Sequence, residues 1–527
     1  MLVSKSSVNS RGSRATGSRP AGKPLAGPAV LLLLLTALGG GSAWWCWSRG
    51  YTLYDGDAEA HLNIARRLLD SRTPGPEQIG TGWLPLPHIL MAPFAMIDGW
   101  WKSGLAGAIP SAVYFVLAGL FLFLAARRAL GSTAAGWTAA LLFAANPNAL
   151  YLGAAPMTEM LFAAGVAGMI AAALWFRDSQ SLWAILAVGA ASNTASLTRY
   201  EGWFLIPFVA LFVLLVARRK GHAVAFAAVA ALGPLVWLAH NQYYYSNALE
   251  FYNGPWSAMA VHQRELAQGV VVPTDHNWSA AAHYYFEAAR LVAGTPLTLL
   301  GIAGAVVGLY RRAWALLLLL VCPAFYVWSL HSGGVDLYVP TLWPHTAYNT
   351  RYALPALMFA AFSASAVVRG LRERAAGIAV AVLTLGTALF WLTADPASIC
   401  WREARDNSRA RREAQTQTAT YLAERYRTGA GIFMSLGSLS GVLRESGIPL
   451  RESLHEGNHP AWEAAMANPR LLLWQAWAIA IPGDQVSTAI AKAVAQGRIY
   501  RLKKQVIVEG TPVVEIYHLD SIEHPIP

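Results

Sequence analysis

Three carboxylates stand within five residues directly after the first apolar stretch of the chain, at Asp55, Asp57 and Glu59, and His61 follows two residues later. A carboxylate in such a run can take a proton from a hydroxyl group as a general base, or supply oxygen ligands to a divalent cation. Ionisable groups at the edge of a membrane are costly to keep there and are candidates for function by default. This run is therefore the first candidate site.

The same acids also fit a structural role. Apolar residues recur at helical spacing from Asp57 to Leu68, which predicts a helix that begins in this run. Asp55 or Gly56 would be its N-cap, and Glu59 would stand where a capping box places an acid. We expect one acid to cap the helix while another faces a cavity.

The composition defines the class of protein. Of the 527 residues, 55% are hydrophobic and 13% are charged, and the mean hydropathy is +0.38. Soluble domains carry roughly 25% charged residues, so the chain is predicted to be an α-helical polytopic membrane protein. Spanning helices need about 17 to 25 apolar residues. Eleven segments meet this requirement, near residues 27–47, 108–126, 133–152, 157–175, 181–198, 202–217, 222–239, 291–310, 313–331, 352–368 and 375–393.

Basic residues gather at one set of segment ends. Threading the chain through eleven spans places on one face the N-terminus and the ends near residues 127, 177, 218, 311 and 369. This face carries 16 basic residues and two acids, so the positive-inside rule makes it cytoplasmic. The net charge of +11 is therefore a signal of topology, and we infer no nucleic-acid partner from it.

The sequence predicts three parts. Residues 1–24 are rich in Ser, Gly and Arg and are predicted to form a disordered basic cytoplasmic tail. Residues 25–394 form the transmembrane domain, with a first outer loop at 48–107 and a long outer loop at 240–290. Residues 395–527 mix helical and strand patterns, and predict a small extracytoplasmic α/β domain with a terminal hairpin. Acceptor binding, capping of a site and contact with a partner protein are all open for this domain.

Four motifs share the outward face and follow one another along the chain. They are the acidic run at 55–59, Asn-Pro-Asn at 146–148 followed by Glu159, Thr-Arg-Tyr-Glu at 198–201, and Tyr-Asn-Thr-Arg-Tyr at 348–352. In order and placement they resemble the GT-C fold of glycosyltransferases that use polyprenyl-phosphate sugars. That group includes protein mannosyltransferases and bacterial aminoarabinose and lipopolysaccharide-core sugar transferases. The resemblance covers roughly residues 25–395.

The resemblance implies an enzyme that moves a sugar from a polyprenyl-phosphate donor to a glycan, lipid or protein acceptor outside the cytoplasm. It places a general base at Asp55 or Asp57, and we prefer Asp55 because Asp57 is better placed to be a residue of the helical turn. Glu159 would be the second acid, which holds the acceptor or helps to bind a cation. A single displacement with one base predicts inversion at the sugar carbon.

The negative charge that builds on the lipid phosphate needs cationic or hydrogen-bonding partners. Arg351 is the first candidate because its planar guanidinium group suits phosphate oxygens, and Tyr348 and Asn349 flank it. An interfacial arginine without a ligand is the alternative for Arg351. The further predicted substrate-binding residues on the outward face are Arg66, Arg199, Glu201, His88 and His345. Since Arg199 and Glu201 are two residues apart, an ion pair between them is an equal alternative.

A divalent metal cation is a candidate cofactor. Asp57, Glu59 and His61 offer it oxygen and nitrogen ligands. Both metal-dependent and metal-independent enzymes occur in the GT-C group, and the spacing of these residues does not choose between them.

A flippase or other transporter of lipid-linked sugars is the alternative function. Transporters place ionisable groups near the bilayer midplane, whereas here the acids gather at the outer ends of the segments. The sequence has no Walker loop and no dinucleotide fingerprint, which argues against an ATP-driven pump. Basic cytoplasmic ends fit a bacterial inner membrane or a eukaryotic endoplasmic reticulum, and the compact loops favour the bacterial membrane, with the active site on its extracytoplasmic side.

Overall fold

The computed structural model describes residues 27–395 and 397–520, so the predicted tail at 1–24 lies outside the described residues. The helices before the long outer loop are α1 (Pro28–Ser48), α2 (Gly56–Arg67), α3 (Leu86–Ala95), α4 (Asp98–Ser103), α5 (Leu105–Leu130), α6 (Thr133–Ala144), α7 (Pro147–Leu152), α8 (Glu159–Ser179), α9 (Leu182–Ser196), α10 (Glu201–Val216), α11 (Gly221–Ala230) and α12 (Leu232–Tyr245). The helices from that loop to residue 393 are α13 (Glu250–Asn253), α14 (Ala258–Ala267), α15 (Trp278–Ala293), α16 (Thr295–Tyr310), α17 (Leu316–His331), α18 (Leu354–Ala364) and α19 (Glu373–Thr393).

The apolar helices define a multi-pass membrane protein. Within residues 27–395 and 397–520, six stretches are long and apolar enough to cross a bilayer, namely α1, α5, α8, Gly221–Tyr245, Thr350–Val368 and α19. The pair α15 and α16, bent by 108°, brings the count to seven when it is taken as one span. The shorter apolar helices α6, α9, α10 and α17 coincide with other predicted segments. Every predicted segment is therefore matched by apolar helix, while the number of eleven complete crossings stays a prediction.

Contacts between loops join two subsets of the predicted segment ends. The guanidinium group of Arg177, at the end of α8, donates to the carbonyl of Arg128 at the end of α5. The side chain of Gln180 bonds the backbone of Val216 and Arg218, just after α10. Arg369 likewise donates to the carbonyl of Arg311. The side of the bilayer to which these ends belong stays a prediction.

At the opposite end of the bundle, close packing fixes the turn that leads into α8. In α5, Gly107 packs against this turn so tightly that an added Cβ atom would lie 2.3 Å from Cβ of Pro156. Two residues after Pro156, Thr158 precedes α8, whose first residue is Glu159. The short distance explains why residue 107 is a glycine. The close packing also fixes the position of Glu159 along the axis of the bundle.

The C-terminal part is a small α/β unit. Its helices are α20 (Ile399–Ala423), α21 (Val442–Ser446), α22 (Ala461–Ala467), α23 (Pro469–Leu472) and α24 (Gln485–Ala495), and its strands are β1 (Ile432–Met434), β2 (Ser453–Leu454), β3 (Trp477–Ala480), β4 (Tyr500–Val506) and β5 (Val514–Leu519). The strands form one sheet in the order β2-β1-β3-β5-β4, in which β1 is parallel to β2 and β3. The terminal pair β4 and β5 is antiparallel, which confirms the predicted hairpin.

The Asn-Pro-Asn motif joins this unit to the bundle. Asn146 caps α7 by accepting from the backbone N–H groups of Asn148 and Ala149, and its amide donates to the carbonyl of Val292. The side-chain oxygen of Asn148 accepts from the backbone N–H of Cys400, in the first turn of α20. The motif therefore sets where α20 starts and how this helix crosses the outer end of the bundle.

Candidate active site

The three acids of the first outer loop have three different environments. Asp55 is the N-cap of α2, since its Oδ1 atom accepts from the backbone N–H of Asp57 at 2.9 Å. Asp57 is the most accessible of the three, with 36% of its side chain exposed. Glu59 is buried and pairs with Arg411 of α20 and Arg444 of α21. As expected, one acid caps the helix and another is accessible. The accessible acid is Asp57 and not Asp55, which the sequence favoured as the base, because capping occupies one Asp55 oxygen.

Arg351 lies at the centre of the carboxylate cluster. Its Nη2 atom donates to Asp57, its Nη1 atom lies 3.4 Å from Asp55, and its Nε atom lies 3.1 Å from Glu159. A fourth carboxylate, Glu403, is 3.7 Å away. The guanidinium group is thus surrounded by acids, which makes Arg351 an organiser of the cluster and a poorer phosphate ligand than predicted.

A second arginine continues the cluster between the bundle helices. Arg199 pairs with Glu159 at 2.9 Å and with Glu201 at 2.8 Å, which confirms the ion-pair alternative for this residue. The ring of Tyr352 contacts both guanidinium groups, with its centre 4.8 Å from that of Arg199 and 5.2 Å from that of Arg351. Charge and cation–π contacts therefore join the starts of α8 and α10 to the helix that follows Arg351.

Glu403 is the member of the cluster that the sequence did not reveal. Its carboxylate accepts from the backbone N–H groups of Asn349 and Thr350, at 2.6 and 2.9 Å, and so fixes the turn that carries Arg351. A signal was present, since Glu403 shares the buried face of α20 with Cys400 and Ala404. An acid on an apolar stripe is unlike the solvated charges elsewhere on that helix.

Two cavities meet at Asp57. The smaller, of about 190 Å³, is lined by Asp55, Asp57, Tyr348, Asn349, Arg351 and Glu403, among others. The larger, of about 2170 Å³, runs from Asp57 and Trp83 past Tyr200 to the C-terminal unit. Its bundle side is rich in aromatic and aliphatic residues, with Trp203, Phe204, Phe325 and Trp328 among them. An apolar cavity of this size that ends at a carboxylate suits a long amphiphile with a polar head.

The two neighbouring arginines of α2 have opposite environments. Arg66, which was predicted to bind substrate, is buried and pairs with Asp70 and Asp98 at 2.8 Å each. Arg67 lines the large cavity, where its Nε atom donates to the carbonyl of Gln78. Within the described residues no carboxylate lies within 4 Å of its guanidinium group, and burial lowers its pKa from the usual value while Glu456 opposes this shift. Of these two arginines, Arg67 and not Arg66 faces the cavity.

The histidines do not join the cluster. His61 and His88 form a buried pair, with Nδ1 of the first 2.9 Å from Nε2 of the second, and neither lines the cavities described above. Burial lowers the pKa of His61 to about 3, and that of His88 well below its usual value. His345 is exposed, and among the described residues its ring bonds only the carbonyl of Pro340.

The predicted metal ligands are not assembled. Asp57 faces Arg351, Glu59 faces Arg411 and Arg444, and His61 faces His88. Among the residues that the structure describes, no three His, Cys, Asp or Glu side chains are grouped so that they could hold a metal ion. These three residues therefore do not form a metal site in this structure, and we derive no step through a cation.

Burial raises the proton affinity of two acids in the cluster. The pKa of Asp55 is raised by burial, which Arg351 opposes and the neighbouring Asp57 reinforces. The pKa of Glu403 is also raised by burial, with Arg351 again opposing. A carboxylate whose pKa is raised towards neutrality is a stronger base than an exposed one.

Comparison with solved structures identifies the fold. The crystal structure of ArnT from Cupriavidus metallidurans bound to undecaprenyl phosphate matches 93% of this chain and 97% of its own, with a TM-score of 0.54 and 14% identity. Its apo form matches equally, with a TM-score of 0.53. The chain is thus a polytopic membrane protein with an ArnT-like GT-C fold.

Other comparisons add little. The oligosaccharyltransferase of Archaeoglobus fulgidus matches 86% of this chain and 69% of its own at 12% identity, and its TM-score of 0.44 is too low to support an inference. No protein-family model and no curated protein sequence matches the chain.

Proposed function

We propose that the protein is a glycosyltransferase that moves a sugar from a polyprenyl-phosphate donor to an acceptor hydroxyl at the outer end of its helical bundle. The observation that carries this proposal is the position of Asp57, whose carboxylate stands where the small acidic pocket opens on the large apolar cavity. A lipid chain fits the apolar part, and the acids meet its polar head. ArnT, which shares the fold, has been crystallised with undecaprenyl phosphate, and this supports a lipid phosphate as the leaving group.

The reaction needs one base and one cation. A member of the Asp55–Asp57 pair takes the proton of the acceptor hydroxyl, and the hydroxyl oxygen attacks the anomeric carbon of the donor. The bond between that carbon and the phosphate oxygen breaks, and the phosphate keeps the electron pair. A single displacement of this kind inverts the configuration. Access favours Asp57 as the base, and the raised pKa favours Asp55.

Arg67 is the residue that we propose for the phosphate. Its guanidinium group faces the cavity without a carboxylate within ion-pair distance in the described part of the chain, so phosphate oxygens can occupy it. Arg351 acts differently, because its contacts with Asp57 and Glu159 position the acids. Glu159 lines neither cavity, and we propose that it positions Arg351 instead of touching the acceptor.

The face of the membrane follows from the basic segment ends. They gather at the end of the bundle away from the acids, as the contacts of Arg177 and Arg369 indicate. With the basic end in the cytoplasm, the site is extracytoplasmic. We propose a bacterial inner membrane for the same reasons of charge and loop length.

The test uses the purified full-length protein in lipid nanodiscs with a mixture of radiolabelled polyprenyl-phosphate sugars. We expect release or transfer of the labelled sugar, and binding of undecaprenyl phosphate to the protein. Movement of the intact lipid between leaflets of proteoliposomes, with no cleavage of the sugar–phosphate bond, would contradict the proposal and support the flippase alternative.

A further inference from the structure

Three parallel strands of the C-terminal unit end at one edge of its sheet. Strand β1 pairs in parallel with β2 on one side and with β3 on the other. The connection that leaves β1 leads to β2 on one side of β1, and the connection that leaves β2 leads to β3 on the other side. In open α/β sheets, ligands bind outside the carboxyl ends of the strands at such a point.

All three loops that follow these strands line the large cavity. They are the loop at 435–440 after β1, the loop at 456–459 after β2 and the loop at 481–485 after β3. Asp57 and Arg67 line the same cavity from the first outer loop. The carboxyl edge of the sheet thus shares one cavity with the proposed base and the proposed phosphate ligand.

The attachment of the unit keeps this edge in place. Asn63 of α2 donates to the carbonyl of Ser440 at 2.6 Å, and Gln78 donates to the carbonyl of Gly457 at 2.6 Å. These two bonds fix the loops after β1 and β2 to the loop that carries the acids. The edge is therefore part of the wall of the site and not a separate module.

The chemistry of the edge suits hydroxyl groups. Ser438 is exposed and Ser435 is half-buried in the loop after β1, and their hydroxyl groups can both donate and accept. Glu456, which accepts from the backbone N–H of Leu436, and Glu463 of α22, which pairs with His459, add carboxylate oxygens beside these loops. Closely spaced donors and acceptors of this kind match the hydroxyl groups of a sugar.

The charge of the cavity restricts the ligand further. Among the described residues, its lining contains six carboxylates and two arginines, with the acids at Asp57, Glu77, Glu250, Glu456, Glu463 and Asp484 and the arginines at Arg67 and Arg411. Like charges placed opposite one another oppose association. Arg411 is paired with Glu59, Asp57 with Arg351 and Glu463 with His459, which leaves four lining acids, Glu77, Glu250, Glu456 and Asp484, against Arg67. The C-terminal side would therefore repel a phosphorylated or sulfated polymer.

We infer that the carboxyl edge of strands β2, β1 and β3 binds the acceptor of the proposed transfer reaction, and that this acceptor is a neutral glycan. The role of this glycan as acceptor rests on the proposed function. Binding of the glycan does not, and it can be measured without any transfer reaction. The edge presents sugar hydroxyls towards the acids of the first outer loop, and its carboxylates exclude polyanions.

The experiment measures binding of neutral oligosaccharides, maltoheptaose and mannopentaose, and of their sulfated derivatives to the full-length protein in nanodiscs by saturation-transfer NMR. The test variant is Ser438→Tyr, which places a bulky ring in the part of the cavity that the loop after β1 lines. The matched control is Glu509→Gln, an exposed acid in the turn between β4 and β5. Apparent melting temperatures of both variants establish that they are folded.

We expect the wild type and Glu509→Gln to bind a neutral oligosaccharide, and Ser438→Tyr to bind it at least tenfold more weakly. Preference for the sulfated derivatives, equal binding by Ser438→Tyr, or no binding of any oligosaccharide by the wild type would overturn the inference. Binding of undecaprenyl phosphate is measured in parallel. If the lipid does not bind and the neutral glycan does, the proposed function fails while the glycan site stands.

Discussion

The Nε atom of Arg351 lies 3.1 Å from Oε1 of Glu159, and this contact joins the start of the late apolar stretch 350–368 to the first residue of α8. The same Glu159 oxygen accepts from Arg199 at 2.9 Å. Two guanidinium groups are therefore shared among the carboxylates of helices that are far apart in sequence. Such fixed charges hold the acids in one geometry before a substrate arrives.

Removing Arg351 should destabilise the outer end of the bundle. In Arg351→Met the carboxylates of Asp55, Asp57 and Glu159 lose a shared buried partner, which costs about 3 kcal/mol or more of folding free energy. We expect a lower apparent melting temperature at pH 7 and partial recovery at pH 5, because protonation relieves the repulsion. Arg402→Met is the control, as its side chain is 42% exposed and its pair with Asp406 is superficial. Equal melting of the two variants would refute the organising role.

Substitution of Arg66 and of Arg67 should have different effects, one on stability and the other on lipid binding. Arg67→Ala is expected to keep its melting temperature and to bind undecaprenyl phosphate at least tenfold more weakly, because a charge-assisted contact to the phosphate is lost. Arg66→Ala is expected to melt at a lower temperature, because Asp70 and Asp98 lose their partner. Lipid-binding titrations and thermal melts on both variants provide the check. A loss of lipid binding in folded Arg66→Ala alone would reverse the assignment.

Glu59 should matter for the attachment of the C-terminal unit. Its carboxylate is buried between Arg411 and Arg444, so Glu59→Gln leaves two buried guanidinium groups without their shared acid. We expect faster limited proteolysis of the segment between α20 and β1 than in the wild type. Glu77→Gln in the same loop serves as the control. An unchanged digestion pattern in Glu59→Gln would show that the ion pairs do not hold the unit.

The buried histidine pair predicts a pH dependence of stability. Burial, with smaller contributions from Arg351 and Arg199, lowers the pKa of His61 from its usual 6.5 to about 3. Between these values the unfolded chain binds a proton that the folded chain does not, so stability falls as the pH drops from 6.5 towards 3. The contribution of His61 is about 1.4 kcal/mol per pH unit in that range.

His61→Asn keeps a hydrogen-bonding group beside His88 and removes this titration. The difference in apparent melting temperature between pH 7 and pH 5 should therefore be smaller in the variant than in the wild type. An identical difference in the two proteins would mean that folding does not shift the pKa of His61, and would contradict the prediction.

The apolar segments were predictable because span length and hydropathy are local properties of a sequence. The N-cap role of Asp55 was also within reach, since capping depends on the residues of one turn. The choice between Arg66 and Arg67 was not, because adjacent residues of a helix point about 100° apart and the sequence does not show which direction faces the cavity. The structure places Arg66 against Asp98 and Arg67 in the cavity.

Contacts between residues that are distant in the chain were the second feature that the sequence did not predict. Arg351 has the residue type of a phosphate ligand, but its environment is set by Asp57 and Glu403, which lie 294 and 52 positions away. Glu59 had the spacing of a metal ligand, but α20 and α21 supply two arginines that pair with it. Strand β1 and the hairpin of β4 and β5 were recognised from the sequence, whereas β3 was read only as an apolar run and β2 was not predicted. The facing of their carboxyl edge towards the cavity depends on contacts such as Asn63 with Ser440.

The most direct test of the account replaces Asp55 and Asp57 singly by Asn and measures sugar release from the polyprenyl-phosphate donor together with lipid binding. The account predicts that at least one variant loses turnover by about a hundredfold or more, in the range of a general base, while lipid binding is kept. Glu509→Gln is the control, an exposed acid in the turn between β4 and β5. Full turnover in both Asp55→Asn and Asp57→Asn would contradict the account.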